Sequence, residues 1–92
     1  MKLPISKFKV YGNSMFPTLR EGQEVLTFNW VKVKVGDVVV IRHHGKEIIK
    51  RVQQVKGDKI YAIGDKLDES SDSRHFGAIP GEQIVGKVVY MR

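Results

Sequence analysis

Apolar and polar residues alternate along most of this chain with a period of two, the signature of strands rather than helices. Residues 7–11 alternate in this way. Residues 24–35 carry Leu26, Phe28 and Trp30, then Val31, Val33 and Val35 separated by Lys32 and Lys34, which predicts one long strand. Residues 38–41 are an unbroken valine and isoleucine run, suited to a strand covered on both faces. Residues 47–55, 59–63 and 84–91 complete the set, each rich in β-branched side chains. Turn pairs separate these runs: Glu21-Gly22, Gly36-Asp37, His44-Gly45, Gly57-Asp58, Gly64-Asp65 and Pro80-Gly81. Their spacing predicts an all-β fold, either compact antiparallel sheets or a partly closed barrel. Helix is expected only as a single turn after Ser14, with Pro17 in it, and as another short turn over 79–83. The longest irregular run, 65–77, is thirteen residues. A loop of that length in a small domain is more often functional than idle.

Ninety-two residues fit one domain, here read as a single catalytic unit over 1–92. Hydrophobic residues at 41% and charged residues at 28% are ordinary for a globular chain. The absence of cysteine excludes a disulfide framework, a thiol nucleophile and a thiolate metal site. A net charge of +6 raises the question of nucleic acid, but the basic residues are scattered among acids. They read as a solvated surface with a positive bias; an anionic membrane surface or acidic partner comes second, and nucleic acid is not expected. No run approaches the ~18 apolar residues of a membrane span, and residues 1–10 lack the apolar core of a secretory signal.

Three segments carry candidate chemistry. Ser14 stands in Gly12-Asn13-Ser14-Met15, at the end of a strand and ahead of Pro17. A serine at such a transition can present its hydroxyl outward beside its own backbone N–H, as a nucleophile with an oxyanion donor. It could equally cap a helical turn. Lys50 follows Ile48 and Ile49 in a strand expected to be largely buried. As a base it must be neutral, so its pKa must fall from ~10.4 toward ~7–8, which desolvation can supply. Alternatively it snorkels to water. His43, His44 and His75 are the other bases on offer, the first two in a polar turn. The third segment is the polar loop from Gly64 to Gly77, which by itself reads as a solvated surface turn.

Taken together, these segments resemble the type I signal peptidases, serine peptidases with a Ser/Lys dyad. GNSMFPTL (12–19) is similar to their nucleophile box, VGDVVV (35–40) to the strand that follows, and IIKRV (48–52) to the box of the general base. GDKLDESSDSRHFGAIP (64–80) is similar to the last box, and IVGKVV (84–89) to the closing strand. The resemblance implies that Ser14 attacks the scissile carbonyl and that Lys50 takes and returns its proton. It implies that Ser70 holds the lysine amine, and that Asp65 with Arg51 and Asp72 with Arg74 form bracing ion pairs. Met15, Leu19, Ile48 and Ile49 match positions near shallow apolar pockets for small side chains at −1 and −3. The partner would be an extended peptide segment of a precursor protein, bound as an added strand. No metal or organic cofactor is implied.

Two departures bear on the site. Gly12 stands where many members have a serine that completes the oxyanion hole, and Lys66 replaces an asparagine in the last box. Only thirteen residues separate Lys50 from Gly64, so the large insertion of bacterial members is absent. The expected activity is removal of an N-terminal leader or signal peptide after a small residue. A short, anchorless form is similar to the peptidases that mature nickel superoxide dismutase. Such a chain would act in the cytoplasm, or at a membrane peripherally or through a partner, with Phe28 and Trp30 as contacts; an anchorless piece of a membrane-bound enzyme would read the same. The alternatives are a LexA-like self-cleaving Ser/Lys domain, which ordinarily has more chain ahead of its serine, and a non-catalytic peptide-binding β-domain.

Overall fold

The period-two pattern folds into seven antiparallel strands: β1 (Ile5–Lys9), β2 (Glu24–Phe28), β3 (Val38–His43), β4 (Lys46–Lys56), β5 (Lys59–Ile63), β6 (Ile79–Pro80) and β7 (Ile84–Met91). The computed structural model describes residues 4–12, 14–29, 32–65 and 78–91. All seven strands join one sheet in the order β1-β2-β7-β3-β4-β5-β6. The sheet is not closed, because β1 and β6 are its two edges. Register shifts between Leu26 and Thr27, Val40 and Ile41, and Val52 and Gln54 add local twist and bend it.

Turn chemistry sets the connections. His44 and Gly45 both have positive φ, 51° and 78°, which suits the two-residue hairpin between β3 and β4. Gly57 at φ 59° opens the hairpin from β4 to β5. The expected short turn over 79–83 divides into β6, an edge strand that tolerates Pro80, and a 3-10 turn at Gly81–Gln83. The helical turn expected after Ser14 is instead a non-helical turn over 14–18, in which the Leu19 N–H donates to the Met15 carbonyl at 2.9 Å. Its Phe16-Pro17 peptide is cis.

Because side chains alternate across the sheet, each face carries its own apolar cluster. Val39, Ile41, Val52, Ile60, Ala62 and Ile79 form the first. Val10, Met15, Leu19 and Val25 form the second, with Val38, Ile49 and Val88 packed against it. Val39, Val40 and Ile41 are all fully buried, as the unbroken apolar run of β3 predicts.

The long strand expected over 24–35 is shorter. β2 ends at Phe28, and residues 32–34 have no regular structure. Its buried positions are Val25 and Thr27, while Leu26 and Phe28 are half-buried. The turn that follows Ser14 explains this: Met15 and Leu19 cover the face that Val25 occupies. Thr27 is accommodated because its hydroxyl donates to the Asn29 side-chain oxygen at 2.7 Å. Opposite them stands Gly86, where a Cβ would come within 2.2 Å of that same Asn29 oxygen. Trp30 lies outside the described residues.

Candidate active site

Beyond β1, Val10 still pairs with the start of β2: its N–H donates to the Gln23 carbonyl and its carbonyl accepts from Gly22 N–H, both at 2.8 Å. Gly12 then turns the chain at φ 79°, a conformation that favours glycine. Its N–H donates to a Glu21 carboxylate oxygen at 3.2 Å, so that amide is committed within the loop. Half-buried Ser14 begins the turn that follows. Met15 and Leu19 anchor that turn in the second apolar cluster, which fixes the serine against the body of the protein.

Lys50 sits in the middle of β4, opposite Val39 of β3, and is only 4% exposed. Ser14 and Lys50 line one cleft of about 190 Å³, together with Met15, Ile48 and Ile49. The described lining is completed by Lys9, Val10 and Tyr11 on one wall and by Lys46 and Glu47 on the other. Three strands separate β1 from β4 in the sheet, so strong curling is what brings them across a common gap. Leu19 is not in the lining; it lies beneath, fully buried in the core.

Arg51, the next residue of β4, leaves the cleft and gathers neighbouring segments. Its guanidinium donates to the two Asp65 carboxylate oxygens at 2.8 and 2.9 Å and to the Gly36 carbonyl at 2.8 Å. Thr18, from the Ser14 turn, donates its hydroxyl to the same carboxylate. The Arg51 hydrogen bonds, helped by that from Thr18, hold the Asp65 carboxyl below the ordinary carboxylate range against the opposing effect of burial. Reciprocally, the Asp65 hydrogen bond raises the Arg51 pKa. The network therefore ties the serine turn, the lysine strand and the β3 entry together through one arginine–carboxylate pair.

Ser70, Asp72, Arg74 and His75 lie outside the described residues. His43 and His44 stack edge to face at the β3–β4 hairpin, ring centroids 4.0 Å apart, and neither lines the cleft. Among the described residues no group of three or more His, Asp or Glu is placed to hold a metal ion, and no helix is long and apolar enough to cross a membrane. Sequence reasoning missed Thr18, Glu21, Lys9 and Lys46. The first two sat beside recognised signals, the Pro17 turn and the Glu21-Gly22 turn. The lysines gave no signal, because nothing local says that β1 and β4 face each other.

Residues 6–89 match the family model described as Peptidase S24-like. The chain is 30% identical to the mitochondrial ATP-independent inner membrane protease subunit 1a of Arabidopsis thaliana, over 92% of this chain and 68% of that protein. It is 33% identical to signal peptidase IB of Staphylococcus aureus, over 92% of this chain and 51% of the relative. With signal peptidase I of Buchnera aphidicola it shares 29% identity over 90% of this chain and 22% of the relative. The chain thus spans about half, or less, of the signal peptidases it matches.

Proposed function

This chain belongs to the S24-like peptidases, of the type I signal peptidase kind, and from that premise we propose that it is a serine endopeptidase in which Ser14 is the nucleophile and Lys50 the general base. The carrying observation is that these two residues, far apart in sequence, line the same cleft. Burial disfavours the ammonium form of Lys50, and a neutral amine is what a base requires. The amine takes the Ser14 hydroxyl proton as the oxygen attacks the scissile carbonyl. The oxyanion is held by the Ser14 backbone N–H; the Gly12 N–H, committed to Glu21, does not serve. Lys50 then gives the proton to the leaving amine, and water hydrolyses the acyl-enzyme by the same route.

Ser70 orients the Lys50 amine in this reading, while Arg51 with Asp65 and Arg74 with Asp72 brace the site. The substrate is an N-terminal leader or signal segment of a precursor protein. Residues 46–49 pair with β3 on one side only among the described residues, since β5 begins its pairing at Arg51. An extended peptide can add there as a strand, entering the gap between β1 and β4. Met15, Ile48 and Ile49 wall the space beside Ser14, so a small residue is preferred at −1.

A peptide series tests this reading. With Ala at −1 cleavage should be efficient, and Val there should cost roughly 10–200-fold in kcat/KM. The Ser14→Ala variant should cleave none of the series. Preferred cleavage after Leu or Phe would refute the pocket, and turnover by Ser14→Ala would refute the nucleophile.

A further inference from the structure

The cleft carries more positive charge than cleavage after a small residue requires. Lys9, at the end of β1, and Lys46, at the start of β4, line its opposite walls, and both are exposed. Neither forms an ion pair among the described residues. By contrast, Lys7 lies 3.5 Å from Glu24. Glu47 is the acid among the described lining residues, and Arg42 takes its carboxylate through bonds of 2.9 and 3.2 Å. Among the described residues the two lysines thus line the groove without an ion-paired carboxylate, Glu24, opposite Lys9 in the β1–β2 register, being taken by Lys7.

Strand geometry sets where a bound peptide would meet them. Lys46, Ile48 and Lys50 follow at period two on β4, and four strand residues span about 13 Å. A peptide added along residues 46–49, with its scissile bond at Ser14, passes Ile48 and Ile49 first and reaches Lys46 four to six residues from that bond. Lys9 approaches the same stretch from the other wall. Resting on the Ser14–Lys50 reading, which gives the Ile48 and Ile49 side to −1 and −3, we propose that Lys9 and Lys46 select precursors with an Asp or Glu side chain at −4 to −6. The selecting groups are exposed, so the effect is moderate and screened by salt.

The test uses the full chain and three peptides with Ala at −1 and −3, bearing Glu, Gln or Lys at −5, with the charge also moved to −4 and −6. At low ionic strength kcat/KM should fall from Glu to Gln to Lys by about three- to tenfold overall. The spread should collapse near ~0.5 M salt. Charge reversal in Lys9→Glu/Lys46→Glu should invert the order, and the milder Lys46→Gln should narrow it. Equal cleavage of all three peptides at low salt, or an order unchanged by charge reversal, overturns the proposal while leaving the dyad intact. Failure of the wild-type chain to cleave any of them overturns the dyad reading, and this selection with it.

Discussion

The two halves of β4 belong to one strand and do opposite things. From Arg51 to Lys56 it pairs with β5, with β3 reaching as far as Arg51 and residues 36 and 37 bonding to Val52, and its inward side chains seal the core. Val52 is buried, accepts from the Gly36 N–H at 2.9 Å and donates to the Asp37 carbonyl at 2.8 Å. From 46 to 49 the strand has β3 alone as a described partner, and it forms a wall of the cleft. The closed half spends its side chains on packing. The open half leaves backbone and charge available, with Lys50 at the junction where the buried environment of one meets the groove of the other. A base that must be both desolvated and reachable fits that junction.

The sharpest way to break the comparison is to exchange its consequences. Lys50→Ala should lower kcat/KM at least about a thousandfold with the fold retained, and adding Ser14→Ala should make little difference, because the two act as one unit. Val52→Ala should do the reverse: about 2–3 kcal/mol of stability lost, some 10 °C in Tm, with kcat kept in the folded fraction. Kinetics and thermal melts on both variants check this. Loss of activity by the folded valine variant would erase the division.

Asp65 sharpens the comparison at the junction, because its two hydrogen-bonded partners come from the closed half and from the serine turn. Its carboxyl is held below the ordinary range, first by the Arg51 hydrogen bonds, so ionised Asp65 stabilises the folded state. That contribution is complete above the unfolded value of ~3.9 and is lost as pH falls through the lower folded value. Asp65→Asn should therefore cost roughly 1–2 kcal/mol near neutrality and flatten the acid decline below about pH 4. Urea midpoints measured from pH 7 to pH 3 decide it, and parallel curves for the two proteins would remove Asp65 from the acid response.

The smallest effect is expected at the open end. Arg42 and Glu47 make a similar contact, 2.9 Å, but their side chains are 60% and 40% exposed and lie five residues apart across one hairpin. Arg51 and Asp65 are 35% and 16% exposed and join distant segments. Arg42→Ala should shift the urea midpoint by less than ~0.5 kcal/mol equivalent. A shift as large as that of Asp65→Asn would show that burial and connectivity are not what separate the two pairs.

Much of the fold was readable residue by residue. Alternation in 47–55, 59–63 and 84–91 marked β4, β5 and β7 to within a few positions, and the His44-Gly45 pair marked its hairpin. The errors came where a local pattern had two solutions. In β2 Leu26 and Phe28 are the bulkier apolar set, and only the Ser14 turn, arriving from earlier in the chain, decides that Val25 and Thr27 face inward. For the site, the sequence supplied Ser14, Lys50 and the acids and bases near them, but alternation along one strand carries no information about which strand lies opposite.

The sequence by itself therefore determined the strand period, the turns and the chemical types available for catalysis, because these depend on neighbours within a few residues. Tertiary structure decided what those types can do. Curling of a sheet that puts three strands between β1 and β4 brings Ser14 and Lys50 to one cleft, with Lys9 and Lys46 in its lining. The assembled fold leaves the Lys50 side chain only 4% exposed. Desolvation and charge proximity are properties of that long-range arrangement, and they arise only when the whole sheet is assembled.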